Sequence, residues 1–200
     1  DLASSSTGLV LNQLFEKAFN VAKKVREETG ISERGVSISS AAVELAKKIF
    51  EDLENHSVML VGTGEMAELA AKHLISYGVK TVYVASRTYE RAIALAQTLN
   101  GCALDFDAFK EELYRADIVI TSTAAPTFII HKEMIEQAIH KRKNKPIFLI
   151  DIAVPRDIAP EVNDLENVYL YDIDDLQNVV LRKLHTKPDS ALTHLLRKSQ

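Results

Sequence analysis

The 200-residue sequence predicts an α/β domain built on a doubly wound, mostly parallel sheet and preceded by a two-helix arm. Three observations predict it. From Ser57 onward, short apolar runs alternate with stretches of helical period. These runs are apolar at successive positions, as strands must be when crossover helices cover both faces of a sheet. A glycine-bearing turn, Val61-Gly62-Thr63-Gly64-Glu65-Met66-Ala67, joins the first run to the first of those helices.

The elements follow in order. Residues 9 to 28 place Leu11, Leu14, Phe15, Ala18, Ala22 and Val25 at three-and-four spacing, which predicts an amphipathic helix with Gly30 as its terminator. A second helix is expected to start at Ser39 or Ser40, either of which can accept from the amides of a first turn that holds Glu44. Its apolar stripe is Val43, Ala46, Ile49, Phe50 and Leu53. Then come the runs SVMLVG, TVYVAS, CALDF, DIVITST, PIFLIDIA and VYLYDID, with helices to Tyr77 and to Leu99, a short one near Lys110 and another near Ile135. The predicted organisation is an arm over residues 1–54, the α/β domain over 55–175 and a helical tail over 176–200.

Composition narrows the class. At 46% hydrophobic residues the chain can fill a core of this size. With 24 basic and 28 acidic residues, the net charge of −4 gives no overall field to draw in nucleic acid or an anionic membrane. No apolar run approaches the roughly 20 residues that span a bilayer. The lone cysteine, Cys102, cannot form an internal disulfide, and no secretory signal is visible, so a reducing, cytoplasmic setting is expected. The start at Asp1 rather than a methionine suggests a piece of a longer protein.

The glycine turn has two readings, a nucleotide cradle or a ligand-free strand-turn-helix. A dinucleotide site needs a tight turn, then a position without a side chain where pyrophosphate meets the backbone, then a small residue where helix meets strand; Gly62, Gly64 and Ala67 meet these needs. Thr63, Glu65 and Met66 complete the turn, whose helix would aim unpaired amides and a positive dipole end at phosphates. An NAD site normally carries a carboxylate at the end of the second strand, about 20 residues on, to hold the ribose. Here the strand ends in Ser86-Arg87-Thr88 instead, a guanidinium flanked by hydroxyls, which suits a 2′-phosphate and predicts NADPH. The plainer reading makes Arg87 a solvated loop charge and Thr88 a helix cap. Together these features describe a Rossmann domain.

Further sites carry paired readings too. Thr121, Ser122 and Thr123 end the fourth strand, where they would line the nicotinamide ribose or simply form a turn. Ala153 and Pro155 would wall the nicotinamide side, while Asp151 and Arg156 could pair with each other at the strand end. The run His140-Lys141-Arg142-Lys143-Asn144-Lys145 reads as an exposed helix end, or as a contact for RNA phosphates. The six histidines show no metal-ligand spacing, so no metal is expected, and Cys102 is expected to be an inert, buried thiol in the third strand.

The segments LNQLFEKAFNVAKKVREETGI, VSISSAAVELAKKIF, VGTGEMAELAAKHL, VASRTYERAIALA, DIVITSTAAP, LIDIAVPRDI and LYDIDDL, in this order, resemble glutamyl-tRNA reductase from about Leu9 to Val180. The resemblance implies an NADPH-dependent oxidoreductase of tetrapyrrole (porphyrin) biosynthesis that reduces glutamyl-tRNA to glutamate-1-semialdehyde, with the nucleophilic cysteine in an N-terminal catalytic domain. By position it implies pyrophosphate on Gly62, Gly64 and Ala67, the 2′-phosphate on Ser86, Arg87 and Thr88, and the ribose and nicotinamide along Thr121 to Thr123. It implies glutamyl-tRNA as partner through the full-length enzyme, a homodimer in that form, and a spinal helix from Ser39. Two departures qualify it. The catalytic domain is almost absent, so the chain is expected to bind NADPH without reducing glutamyl-tRNA, and no residue, Cys102 included, is assigned as catalytic. The tail carries Pro188 where the family continues into long dimerisation helices. Two alternatives remain: another NADP-dependent dehydrogenase of shikimate-dehydrogenase type, or a non-catalytic nucleotide-sensing or partner-binding module.

Overall fold

The computed structural model describes residues 9–29 and 33–186. Gly30, Pro188 and the tail beyond residue 186 lie outside the described residues, as do the side chains of Ala22 and Val25. Contacts divide the chain into two compact units, residues 1–36 and 37–200. In the first unit the expected amphipathic helix is present as α1 (Leu9–Thr29). Leu11, Leu14 and Phe15 of its apolar stripe are exposed, together with Phe19 and Val21.

The helix α2 (Glu33–Phe50) begins earlier than its sequence signals. Ser39 therefore lies inside the helix, fully buried, with its hydroxyl 3.3 Å from Nδ1 of His73. A serine hydroxyl in a helix interior that finds a partner on a neighbouring helix has the same local signature as a cap, so sequence alone cannot separate the two. Glu44, expected in the first turn, pairs instead with Lys48 one turn on. From Ile38 onward the inner face of α2 enters the core of the second unit through Ile38, Ala41, Ala42, Leu45 and Ala46.

That second unit holds six strands: β1 (Ser57–Val61), β2 (Thr81–Ser86), β3 (Cys102–Asp105), β4 (Ile118–Thr121), β5 (Ile147–Asp151) and β6 (Val168–Asp172). They form one sheet in the order β3-β2-β1-β4-β5-β6, every neighbouring pair parallel. Between them run α3 (Glu65–Ser76), α4 (Tyr89–Thr98), α5 (Phe109–Glu112) and α6 (Lys132–Lys141), and α7 (Ile173–Thr186) follows β6. The doubly wound arrangement expected from the sequence is thus present among the described residues. Its physical basis is visible strand by strand. In β1, Val58 and Leu60 join one core while Met59 and Val61 join the other, and in β5, Phe148 and Ile150 oppose Ile147 and Leu149 in the same way. One core is closed by α2, α3 and α4, the other by Phe109, Leu113, Ile135 and Ala138. Burying both faces is what made these runs continuously apolar.

Cys102 departs from expectation: it is exposed. It opens β3, which pairs with β2 alone and so forms an edge of the sheet, with no strand beyond to cover its outer side. Among the described residues no helix is long and apolar enough to cross a membrane.

Candidate functional site

The chain winds from β1 outward through β2 to β3, then returns to place β4 on the other side of β1. This reversal opens a crevice at the carboxyl ends of β1 and β4, where ligands lie in sheets of this kind. The loops after these two strands form the crevice floor.

The β1 loop is held tightly. Gly62 donates its amide to the Ala85 carbonyl at 2.8 Å and has φ of 103°, a conformation that only glycine adopts without strain. Ser122 donates to the Val61 carbonyl at 2.8 Å. A Cβ at position 62 would collide with the carbonyl oxygen of Ser122, and one at 64 with the Ser122 hydroxyl. Gly62 is thus required by the backbone of the β4 loop, whereas the bare side of Gly64 faces a hydroxyl that can rotate. Gly64 is the N-cap of α3 and supplies no side-chain cap, so the first-turn amides at Glu65, Met66 and Ala67 are offered to the crevice without a capping side chain. Ala67 is fully buried where the helix meets the sheet.

At the end of β2, Ser86 is buried while Arg87 and Thr88 are exposed. Thr88 sits at the N-cap of α4 but makes no side-chain capping bond. Arg87 has no hydrogen bond or ion pair among the described residues; its guanidinium acts only at longer range, on the charge of Asp157. Arg91, in the first turn of α4, shares a hollow with Thr63 and Glu68 of the β1 side, a neighbour not anticipated from the sequence. These residues fit a phosphorylated nucleotide: glycines where a Cβ would obstruct, amides at a helix start without a capping side chain, and a guanidinium with no hydrogen bond or ion pair among the described residues.

The third wall was only partly anticipated. Thr121 is fully buried and donates its hydroxyl to the Asp151 carboxylate at 3.2 Å. Thr123 donates both its amide, at 2.8 Å, and its hydroxyl, at 2.5 Å, to Asp157. The hydroxyls of both threonines thus serve carboxylates, which leaves that of Ser122 facing Gly64. Asp151 gathers the following loop by accepting from the amides of Ala153, Asp157 and Ile158 at 2.9–3.0 Å. Ala153 is buried and Pro155, after a cis peptide bond, is exposed. The suggested Asp151–Arg156 carboxylate pair does not form. Arg156 reaches only the Asp151 carbonyl, at 3.4 Å, and its charge is met by Asp172 and Asp174. Burial pushes the Asp157 carboxyl above its ordinary 3.8, against the two bonds from Thr123, with Asp151 adding to the rise and Arg87 opposing it. The signal that could have flagged Asp157 was weak: an acidic residue directly after Arg156 reads as one of a pair of exposed loop charges.

At the opposite end of the sheet the basic run is not uniformly exposed. Arg142 is buried, donating to the carbonyls of Tyr114, Ala116, Pro146 and Lys145 and to the Asp117 carboxylate at 2.6 Å. It is a structural cation, and only its neighbours in the run face solvent. Among the described residues no group of histidine, cysteine, aspartate or glutamate side chains is arranged to hold a metal.

Comparison with known proteins bears on this site. Residues 44–179 match the family model described as shikimate/quinate 5-dehydrogenase. A curated glutamyl-tRNA reductase from Geobacter metallireducens is 55% identical over 186 residues, 93% of this chain and 43% of that protein. One from Magnetococcus marinus is 52% identical over 90% of this chain and 42% of its own length. The solved glutamyl-tRNA reductase from Methanopyrus kandleri superposes with a TM-score of 0.71 at 44% identity, over 90% of this chain and 45% of that one. The nucleotide-binding domain of the Thermoplasma volcanium enzyme, at 20% identity and a TM-score of 0.56, shares the fold over 82% of this chain and 97% of its own. The chain thus spans less than half the length of the curated relatives named here. Matched by its model over most of its length, the chain belongs to the shikimate/quinate 5-dehydrogenase family, and the curated relatives it resembles at more than half identity are glutamyl-tRNA reductases.

Proposed function

We propose that this chain is the NADPH-binding part of an enzyme that reduces glutamyl-tRNA to glutamate-1-semialdehyde in tetrapyrrole biosynthesis. In that role residues 1–54 are an arm, 55–175 the cofactor domain and 176–200 a helical tail, the remnant of a dimerisation segment. The observation that carries the cofactor assignment is Arg87, exposed beside Ser86 and Thr88 at the end of β2 and unbonded among the described residues. A buried or paired arginine would be structural; a free one next to uncapped helix starts suits a 2′-phosphate. The amides at Glu65 to Ala67 would receive the pyrophosphate, and Ser122, Ala153 and Pro155 would border the nicotinamide. Bound there, the cofactor supplies a hydride. The chain's own residues bind and orient it, with Gly62 and Gly64 keeping the backbone accessible.

Titrating NADPH and NADH into the wild-type chain and Arg87→Ala tests the assignment. The wild type should favour NADPH, and the variant should lose about 10- to 100-fold in NADPH affinity, as expected for a charge-assisted contact of about 1.5–3 kcal/mol, with NADH unchanged. Preference for NADH in the wild type would refute the reading. The thiol chemistry is assigned to a separate catalytic domain, so the chain supplied with glutamyl-tRNA and NADPH should yield no semialdehyde. One observation favours the partner-binding alternative: the exposed stripe of Leu11, Leu14 and Phe15 on α1. A chain that binds neither nucleotide would favour it further.

A further inference from the structure

Asp157 has no place in the cofactor contacts above, yet it is the carboxylate most completely enclosed beside them, with 0% of its surface exposed. A carboxylate is expensive to bury, and no lysine or arginine forms an ion pair with it among the described residues. Its two oxygens are instead divided between the amide and the hydroxyl of one residue, Thr123. The Thr123 hydroxyl in turn accepts from the Ala125 amide at 3.2 Å. The Asp157 main chain is equally committed. Its amide donates to Asp151, and its carbonyl accepts from Ile129 and Ile130 at 2.7 and 3.1 Å. One residue therefore ties the exits of β4 and β5 and the segment before α6 into a single unit. The part of that unit facing the crevice is Ser122-Thr123, the stretch that packs on Gly62 and Gly64.

We propose that Asp157 is a positioning residue which, through its paired bonds to Thr123, holds the Ser122-Thr123 wall in register with the glycine loop and so governs binding of the nicotinamide half of the cofactor. The adenosine half is held by Arg87 and its neighbours across the crevice and does not depend on it. This inference rests on the cofactor reading above. An ionised Asp157 accepts from both Thr123 donors; a protonated one still accepts from the amide and donates to the Thr123 hydroxyl, so both contacts survive protonation. Its carboxyl titrates above the ordinary range because burial raises it, Asp151 raises it further, and Thr123 and Arg87 lower it. A carboxyl whose pKa is raised within the closed wall favours that wall when protonated, so the wall should tighten as pH falls through the raised value and binding of the nicotinamide half should strengthen on the acid side.

The test compares NADP+ with 2′,5′-ADP, which carries the same 2′-phosphate but no nicotinamide, between pH 5 and 8. Their affinity ratio cancels titration of the phosphate itself. In the wild type the ratio should rise toward acid pH. In Asp157→Ala, which removes both contacts, it should be about 10-fold lower at pH 8 and flat with pH, with 2′,5′-ADP affinity unchanged. Thr123→Val should give the same loss and Thr123→Ser should restore the ratio, which keeps the test decisive if Asp157→Ala fails to fold. Variants that keep the wild-type ratio, or that lose both ligands equally while unfolding at the wild-type temperature, overturn the positioning role alone. A wild-type chain that binds neither ligand overturns the cofactor reading and this role with it.

Discussion

The two ends of the sheet solve the same problem with opposite charges. Where β1, β4 and β5 begin, a buried guanidinium collects carbonyls: Arg142 bonds to Tyr114, Ala116, Lys145 and Pro146, and its charge is met by Asp117, which accepts in turn from the Ser57 amide at 2.9 Å. Where β4 and β5 end, buried carboxylates collect amides and hydroxyls, through Asp151 and Asp157. The difference lies in what is left over. At the entry end the buried charges are matched within the fold. At the exit end, among the described residues, the α3 start has no capping side chain and Arg87 no ion pair, so polar capacity is left over there. The contrast supports the exit end as the candidate site on grounds independent of the glycine motif.

If the entry end serves the fold alone, Arg142→Met should cost the most stability, about 3–5 kcal/mol, because it leaves Asp117 uncompensated and several carbonyls without donors. Urea denaturation measures this, and nucleotide affinity of the folded fraction should be unchanged; a loss of affinity would break the division between the ends. Gly62→Ala sharpens it from the other side. The added Cβ meets the Ser122 carbonyl at a positive φ, so stability should fall by about 2–3 kcal/mol and nucleotide binding should fail together. Retained binding would mean that the β4 loop can move away at little cost. The smallest effect belongs to Lys143→Gly. Lys143 has φ of 55° just beyond α6, and glycine there should stabilise by about 0.5–1 kcal/mol, read as a higher urea midpoint with binding unaltered.

What was legible in the sequence was local. The alternation of apolar runs and helical periods specified the parallel sheet because each strand buries both faces, and the glycine turn was legible because its backbone requirements fall within a few consecutive residues. Long-range partnerships were not. Ser39 looked like a helix start because its partner, His73, lies on another helix. Cys102 looked buried because nothing in a short apolar run reveals that its strand will be an edge. Arg142, set among exposed cations, could not be singled out without knowing that three strand entrances converge on it. Asp157 was invisible for a similar reason: the two donors that engage it belong to a residue 34 positions earlier.

Gly62 answers first to its neighbours in the polypeptide, whose carbonyl leaves no room for a methyl group. A descendant that ceased to meet any nucleotide would still be obliged to keep that glycine, whereas Arg87, which has no hydrogen bond or ion pair among the described residues, would be free to drift. In a diverging lineage the fingerprint would therefore outlast the activity, and the guanidinium would be the earlier register of its loss.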